Sequence, residues 1–168
     1  MHGLYIFSVW VHIVSAAVWI GGMVFIILVV IPVLRGSEYR EIYTGVLHRI
    51  GVRFRLLGWV SLLMLTVSGV FNLLYRGYGI SDLQSGRLFQ GEFGKILLHK
   101  LVLVASALVI SAVHDFWVGP KATGFSLRDP SSRESLRFRR MASWLGRINF
   151  VIALLIVALG VMLVRGYP

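Results

Sequence analysis

His12 lies inside an uninterrupted apolar run from Trp10 to Pro32, WVHIVSAAVWIGGMVFIILVVIP. An ionisable side chain in a stretch long enough to cross a bilayer is costly to bury, so it marks a candidate functional site. His99 and His114 occupy another such run, and Lys100 directly follows His99. Neutral imidazole is a common metal ligand, and its second nitrogen is oriented by another polar group. Ser8, Ser15 and Ser106 are candidates for that role. Two opposed histidines on different helices suit the axial positions of a low-spin b-type haem. The plainer account is that each imidazole hydrogen-bonds across a helix bundle or sits among headgroups. His2 and His48 fit the plainer account, since His2 is terminal and His48 is followed by Arg49, Arg53 and Arg55. The candidate metal ligands are therefore His12, His99 and His114, with His48 the remaining partner for His114. Lys100 is a candidate anchor for a haem propionate or a proton-handling group; alternatively it snorkels toward the headgroups. Trp19 is a candidate wall for a flat ligand. Asp115 follows His114 and is placed to orient that imidazole or relay protons.

The rest of the chain must hold these groups in a membrane. Of 168 residues, 57% are hydrophobic and 14% charged, and long apolar runs recur. That composition indicates a polytopic membrane protein with a single domain over residues 1–168. There is no cysteine, which excludes disulfides, thiolate metal sites and iron–sulfur clusters. The net charge of +10 does not point to nucleic acid, because the basic residues flank the apolar runs as membrane anchors do. No nucleophile triad, paired carboxylate or phosphate-binding glycine loop is present. The N-terminus has neither a basic region nor a cleavage site, so the first run reads as a retained span.

Four spans are expected, at about 5–34, 56–75, 95–118 and 143–164. They form an all-α, up-and-down four-helix bundle, a fold whose cofactor sites are built from facing helices. Each span carries a small or polar stripe at helical spacing. The stripes are Ser8, His12, Ser15, Trp19 and Gly22; Gly58, Ser61, Leu65, Ser68 and Asn72; His99, Leu103, Ser106, Ile110 and His114; and Gly146, Asn149, Ala153, Ile156 and Gly160. The Trp19-Ile20-Gly21-Gly22 run reads as the point where the third span approaches the first. Short interfacial helices are expected in the connecting segments, over 37–55 with Ser37 as cap and over 130–141 after Asp129-Pro130-Ser131-Ser132. Residues 76–94 read as a glycine-rich polar loop. Twelve of the 17 Lys and Arg residues flank the inner ends of the spans, and five lie on the other side. The positive-inside rule then puts both termini outside the cytoplasm, in a multi-pass protein of the inner membrane. On this topology His12, His99 and Lys100 form an outer tier, and His114 with His48 an inner one.

The order His12…Trp19-Ile20-Gly21-Gly22, then Arg55-Leu56-Leu57-Gly58 through Ser68-Gly69, then Phe93-Gly94-Lys95-Ile96-Leu97-Leu98-His99-Lys100-Leu101 resembles the copper-resistance D family. The resemblance covers about residues 8–115. The same elements resemble the bacterial membrane-bound protoporphyrinogen oxidases, a four-span family. That resemblance implies His12 as a haem ligand, with Lys100 and His114 as its further matching positions. The family's further histidine after the first span is missing here, since Pro32-Val33-Leu34-Arg35 contains none. Three functions remain open at this point. One is a haem b protein for electron transfer or a membrane oxidoreductase reaction, with a quinone, a tetrapyrrole or a membrane redox complex as partner. A second is copper binding or transport across the membrane. The third is a cofactor-free subunit or assembly factor of a larger complex, and a homo-oligomer is compatible with each. Copper(I) pathways favour soft Met and Cys ligands, whereas here Cys is absent and the Met residues form no close pair.

Overall fold

The apolar runs become four long helices. The computed structural model describes residues 2–39 and 42–165, and among these there is no strand. Helix α1 is His2–Leu34, α2 Tyr43–Tyr75, α3 Gly91–Arg128 and α4 Arg133–Arg165. All four are long and apolar enough to cross a membrane. At 1.5 Å per residue a 33-residue helix is about 50 Å long, well beyond a hydrocarbon core of about 30 Å. The surplus lies in the basic segments. Residues 43–55 are the first turns of α2 and 133–141 the first turns of α4, rather than separate interfacial helices. Arginine is a good helix former, and an isolated glycine such as Gly45 or Gly51 costs only about 1 kcal/mol, so nothing in these segments stops a helix. Ser37 lies in a short 3₁₀ turn, Ser37–Tyr39, and does not cap α2, which begins after Ile42.

Two prolines explain where α1 and α3 depart from regular geometry. Pro32 follows a π-helical turn, Ile26–Val30, and Pro120 follows another, His114–Val118. Proline has no N–H and its ring crowds the carbonyl four residues back. Just upstream the ladder widens, with Ile31 N–H bonding to Ile26 O and Gly119 N–H to His114 O, five residues back. The widened turn absorbs the ring and the helix continues. Hence α3 does not end near Val118, where the Gly119-Pro120 pair suggests, but runs on to Arg128.

Helix α1 packs on α2 and α3 on α4; α1 also touches α4, and α2 touches the extension of α3 beyond Pro120. The shared core is small: Trp19, Met23, Leu62, Ala107 and Ala153. Most other large apolar side chains face outward, as lipid-facing surfaces require. The first two stripes are confirmed in detail. Ser8, Ser15 and Trp19 of α1 are buried, as are Gly58, Ser61 and Ser68 of α2. Asn149 and Ala153 of α4 are buried too, with Asn149 Nδ2 donating to Ser111 Oγ at 3.0 Å. The α3 stripe is offset from the buried face: between Gly91 and Val113 the buried residues are Gly94, Leu97, Ala107 and Ser111, while His99 is exposed and Leu103, Ser106, Ile110 and His114 are half-buried. His99 and Ser106 each bond a carbonyl one turn back on their own helix, so they need no partner helix.

The connections are ordered by a few polar contacts. Ser132 caps α4 by accepting from Ser135 N–H at 3.2 Å, so the helix start read at 129–132 holds. Asp129 accepts from the Ser131 hydroxyl and N–H, which hold its carboxyl below the usual carboxylate range. In residues 76–90 the buried Asp82 accepts from Gly79 N–H at 2.8 Å and pairs with Arg87 at 3.1 Å, around a one-turn helix, Ile80–Gln84. Gly94 then lets α3 start directly beneath this loop. A Cβ there would strike the backbone of Phe89, which cannot yield as a side chain can. Gly94→Ala should therefore destabilise the purified protein by about 1–3 kcal/mol. Gly124→Ala, in a helical position with nothing within 4 Å, should stabilise it by about 1 kcal/mol. Thermal unfolding in detergent measures both, and equal effects would refute the packing assigned to Gly94.

Candidate functional site

His12 is held by α2. Its Nδ1 lies 2.8 Å from Ser68 Oγ. Ser68 has one hydroxyl proton and donates it to the Met64 carbonyl at 2.5 Å. With that proton on Met64, the oxygen is placed to accept from His12, which favours the Nδ1–H tautomer with a lone pair on Nε2. Gly69 lies beside the ring, where a Cβ would sit 3.5 Å from His12 Cε1, an ordinary contact. Ser8, one turn before His12, reaches the Ser68 carbonyl at 3.4 Å. The imidazole is thus oriented by Ser68, which belongs to the predicted α2 stripe, and not by Ser8, Ser15 or Ser106.

Lys100 turns inward. Its ammonium would lie 3.3 Å from a Cβ on Gly160 of α4, so the missing side chain makes its space. The ammonium lies within electrostatic range of His12 and of Arg76. His12, Ser68, Lys100 and Gly160 thereby bring all four helices to one half of the bundle. Trp19 lies two turns further along α1, against Gly58 of α2, and Gly22 lies against the Phe54 ring. The Trp19–Gly22 run therefore receives α2, not α3. The expected partner of His12 is not brought to it: His99 is exposed, and its Nδ1–H donates to Lys95 O at 2.7 Å.

A second polar cluster sits at the other end of α3. The π turn there presents His114 and Asp115 together. His114 Nδ1 and Asp115 Oδ1 are 2.8 Å apart, and Trp59 Nε1–H donates to Asp115 Oδ2 at 3.0 Å. Arg55 donates to the Asp115 backbone carbonyl at 3.1 Å, and its guanidinium lies over Phe116. So Asp115 orients His114 while anchoring α3 to α2. His48 is exposed on α2 and does not join this cluster; His2 is exposed as well. Among the described residues no three His, Asp or Glu side chains gather as a metal-holding group. The structure thus offers two separate oriented imidazoles, one in each half of the bundle, and no multidentate centre.

Three contacts at these sites were missed from the sequence. Ser68 stood in the stripe without being matched to His12, although its spacing with Gly69 was the available signal. Trp59 and Arg55 carried no signal, since their role depends on a π turn that only the fold reveals. The His12–Ser68 bond generates a direct expectation. Ser68→Ala should cost about 0.6–2 kcal/mol, the range for hydrogen bonds between membrane helices. Ser106→Ala, which removes only a bond to its own helix, should cost less. Detergent unfolding of the two variants checks this, and a larger loss at Ser106 would contradict the interhelical role of Ser68.

Similarity to known proteins agrees with this architecture. The family model for copper resistance protein D, CopD, matches residues 48–163. That match takes in α3 and nearly all of α2 and α4, with Lys100, His114 and Asp115, but not His12. An uncharacterized protein of Aquifex aeolicus (strain VF5) is 34% identical over 157 residues, covering 93% of this chain and 92% of the relative. No solved structure matches the chain. A multi-pass membrane protein of four apolar helices, matched by this model over more than half its length, the chain belongs to the copper resistance protein D family.

Proposed function

We propose that this protein binds a b-type haem through His12 and uses it for electron transfer or a membrane oxidoreductase reaction. The observation that carries the reading is the contact of His12 Nδ1 with Ser68 Oγ, which favours a proton on Nδ1 and leaves Nε2 without a hydrogen-bond partner among the described residues. A haem iron needs one such nitrogen on each axial side at most, because the macrocycle supplies the other ligands. A copper centre takes several protein ligands, and among the described residues no group of three is found. The donor set fits a haem held by His12. Among the described residues no second histidine joins it, since His99 is exposed and His114 pairs with Asp115 at the other end of α3.

In this reading His12 would hold the iron, Ser68 would keep the imidazole oriented, and Lys100 would face the propionates. When bound, the haem supplies one-electron exchange. The chain's own work is to fix the imidazole, to place one cation near it, and to keep water away with the apolar faces of α1 and α2. The topology that accompanies it is an up-and-down bundle forming one domain in the inner membrane, with both termini outside the cytoplasm and the arginine-rich ends inside. A quinone, a tetrapyrrole or a membrane redox complex is then the partner, and a second copy of the chain is compatible with it. The description of the family as copper resistance favours a second reading, copper handling at the membrane.

Purified protein should show a sharp α band on dithionite reduction, and His12→Ala should lose it. Lys100→Gln should keep part of the haem, and His99→Ala should keep all of it. A colourless protein holding stoichiometric copper would replace this reading with the second. Co-purification of a larger complex with no metal would replace both with a cofactor-free subunit.

A further inference from the structure

The end of the bundle opposite His12 carries a cavity of about 850 Å³ that the haem reading does not use. It lies where the last turn of α1, the first turns of α2 and α4 and the end of α3 meet. Arg35, Arg49 and Arg139 line it, from three different helices. None of the three has a carboxylate within ion-pair distance among the described residues. Arg139 is not loose: its guanidinium sits 5.6 Å from the centre of the Tyr43 ring, which also lines the cavity. That cation–π contact restrains the guanidinium, and a guanidinium can bind phosphate bidentately where a lysine acts as a point charge. The first turn of α2 forms one wall, and no side chain caps it. Leu34 and Val46 make part of the remaining wall apolar.

Depth identifies the anion. Arg35 directly follows the apolar run of α1. Arg139 precedes Ser143, where the apolar run of α4 begins, by about 6 Å, and Arg49 precedes Leu56 of α2 by about 10 Å, at 1.5 Å of rise per residue. The headgroup layer on each face of a bilayer is about 5–8 Å thick. The three guanidinium groups therefore straddle the layer that holds lipid phosphates. A free anion has no use for the apolar wall, whereas a lipid has acyl chains to lay against it. We propose that this cavity is a binding site for an acidic phospholipid, whose phosphate is held by Arg35, Arg49 and Arg139. Such a lipid ties together the ends of α1, α2 and α4, which no ion pair among the described residues joins. The site is independent of haem binding.

The full chain, purified in neutral detergent, tests this by titration with phosphatidylglycerol, with phosphatidylcholine of the same acyl chains, and with inorganic phosphate. The readouts are the unfolding temperature and lipid binding by native mass spectrometry. Phosphatidylglycerol should bind and raise the unfolding temperature, and the other two should not. Arg49→Gln and Arg139→Gln should each weaken the lipid about fivefold, the worth of one basic group near a charged surface. Arg137→Gln, outside the cavity, should leave it unchanged. Tyr43→Leu removes the platform under Arg139 without altering charge and should weaken the lipid as well, which keeps the test open if an arginine variant misfolds. Equal binding of phosphatidylcholine, an equal response to inorganic phosphate, or wild-type affinity in both Arg49→Gln and Tyr43→Leu would overturn the proposal.

Discussion

A buried imidazole in hydrocarbon must find a hydrogen-bond partner, and the structure is arranged around how His12 finds one. The partner is on another helix. Its hydroxyl is already committed to the Met64 carbonyl, so it is placed to accept from the ring. This one constraint bears on three things together: the register of α1 on α2, the tautomer of His12, and the freedom of Nε2. Small residues line the same two helices: Ser8, Gly58 and Ser61 are buried, and Gly69 lies beside the His12 ring. His99, by contrast, bonds its own helix on α3. The contrast between His12 and His99 separates a candidate site from a satisfied surface histidine.

The other half of the molecule depends on a different constraint, the accommodation of proline inside long helices. Pro32 and Pro120 stand two residues beyond matching π turns. On α3 the turn does more than absorb the ring, since it brings the consecutive side chains of His114 and Asp115 toward α2, where Trp59 holds the carboxylate. π turns inside α-helices are frequent at functional sites, and here one builds an oriented imidazole with a carboxylate behind it. Because α3 continues past Pro120, it delivers Ser126 to the basic end of the bundle, where α1, α2 and α4 also meet.

The four membrane helices were legible in the sequence, because a bilayer demands long apolar runs and leaves few alternatives. The buried faces of α1, α2 and α4 were legible for a related reason: small residues at helical spacing mark close approach. The face of α3 was not. His99 and Ser106 satisfy themselves by bonding one turn back, so spacing alone cannot distinguish a stripe that meets a neighbour from one that meets lipid. Helix ends were also poorly legible. Arg-rich segments read as interfacial continue their spans as regular helix, and Gly119-Pro120 reads as a stop where the helix widens and proceeds. His12 and Lys100 were visible as anomalies, but the identity of the group orienting His12 needed the pairing of α1 with α2. The Arg55, Trp59 and Asp115 contacts needed a local geometry that no residue pattern announces.

The account stands or falls on the state of one ring. Heteronuclear NMR of protein prepared without haem and labelled at histidine nitrogens reads the His12 tautomer directly, with His12→Ala used to assign the signal. Ser68 as acceptor predicts a proton on Nδ1, a lone pair on Nε2, and loss of that preference in Ser68→Ala. A proton on Nε2, with Nδ1 accepting from Ser68, would contradict it and would remove the nitrogen on which the haem reading rests.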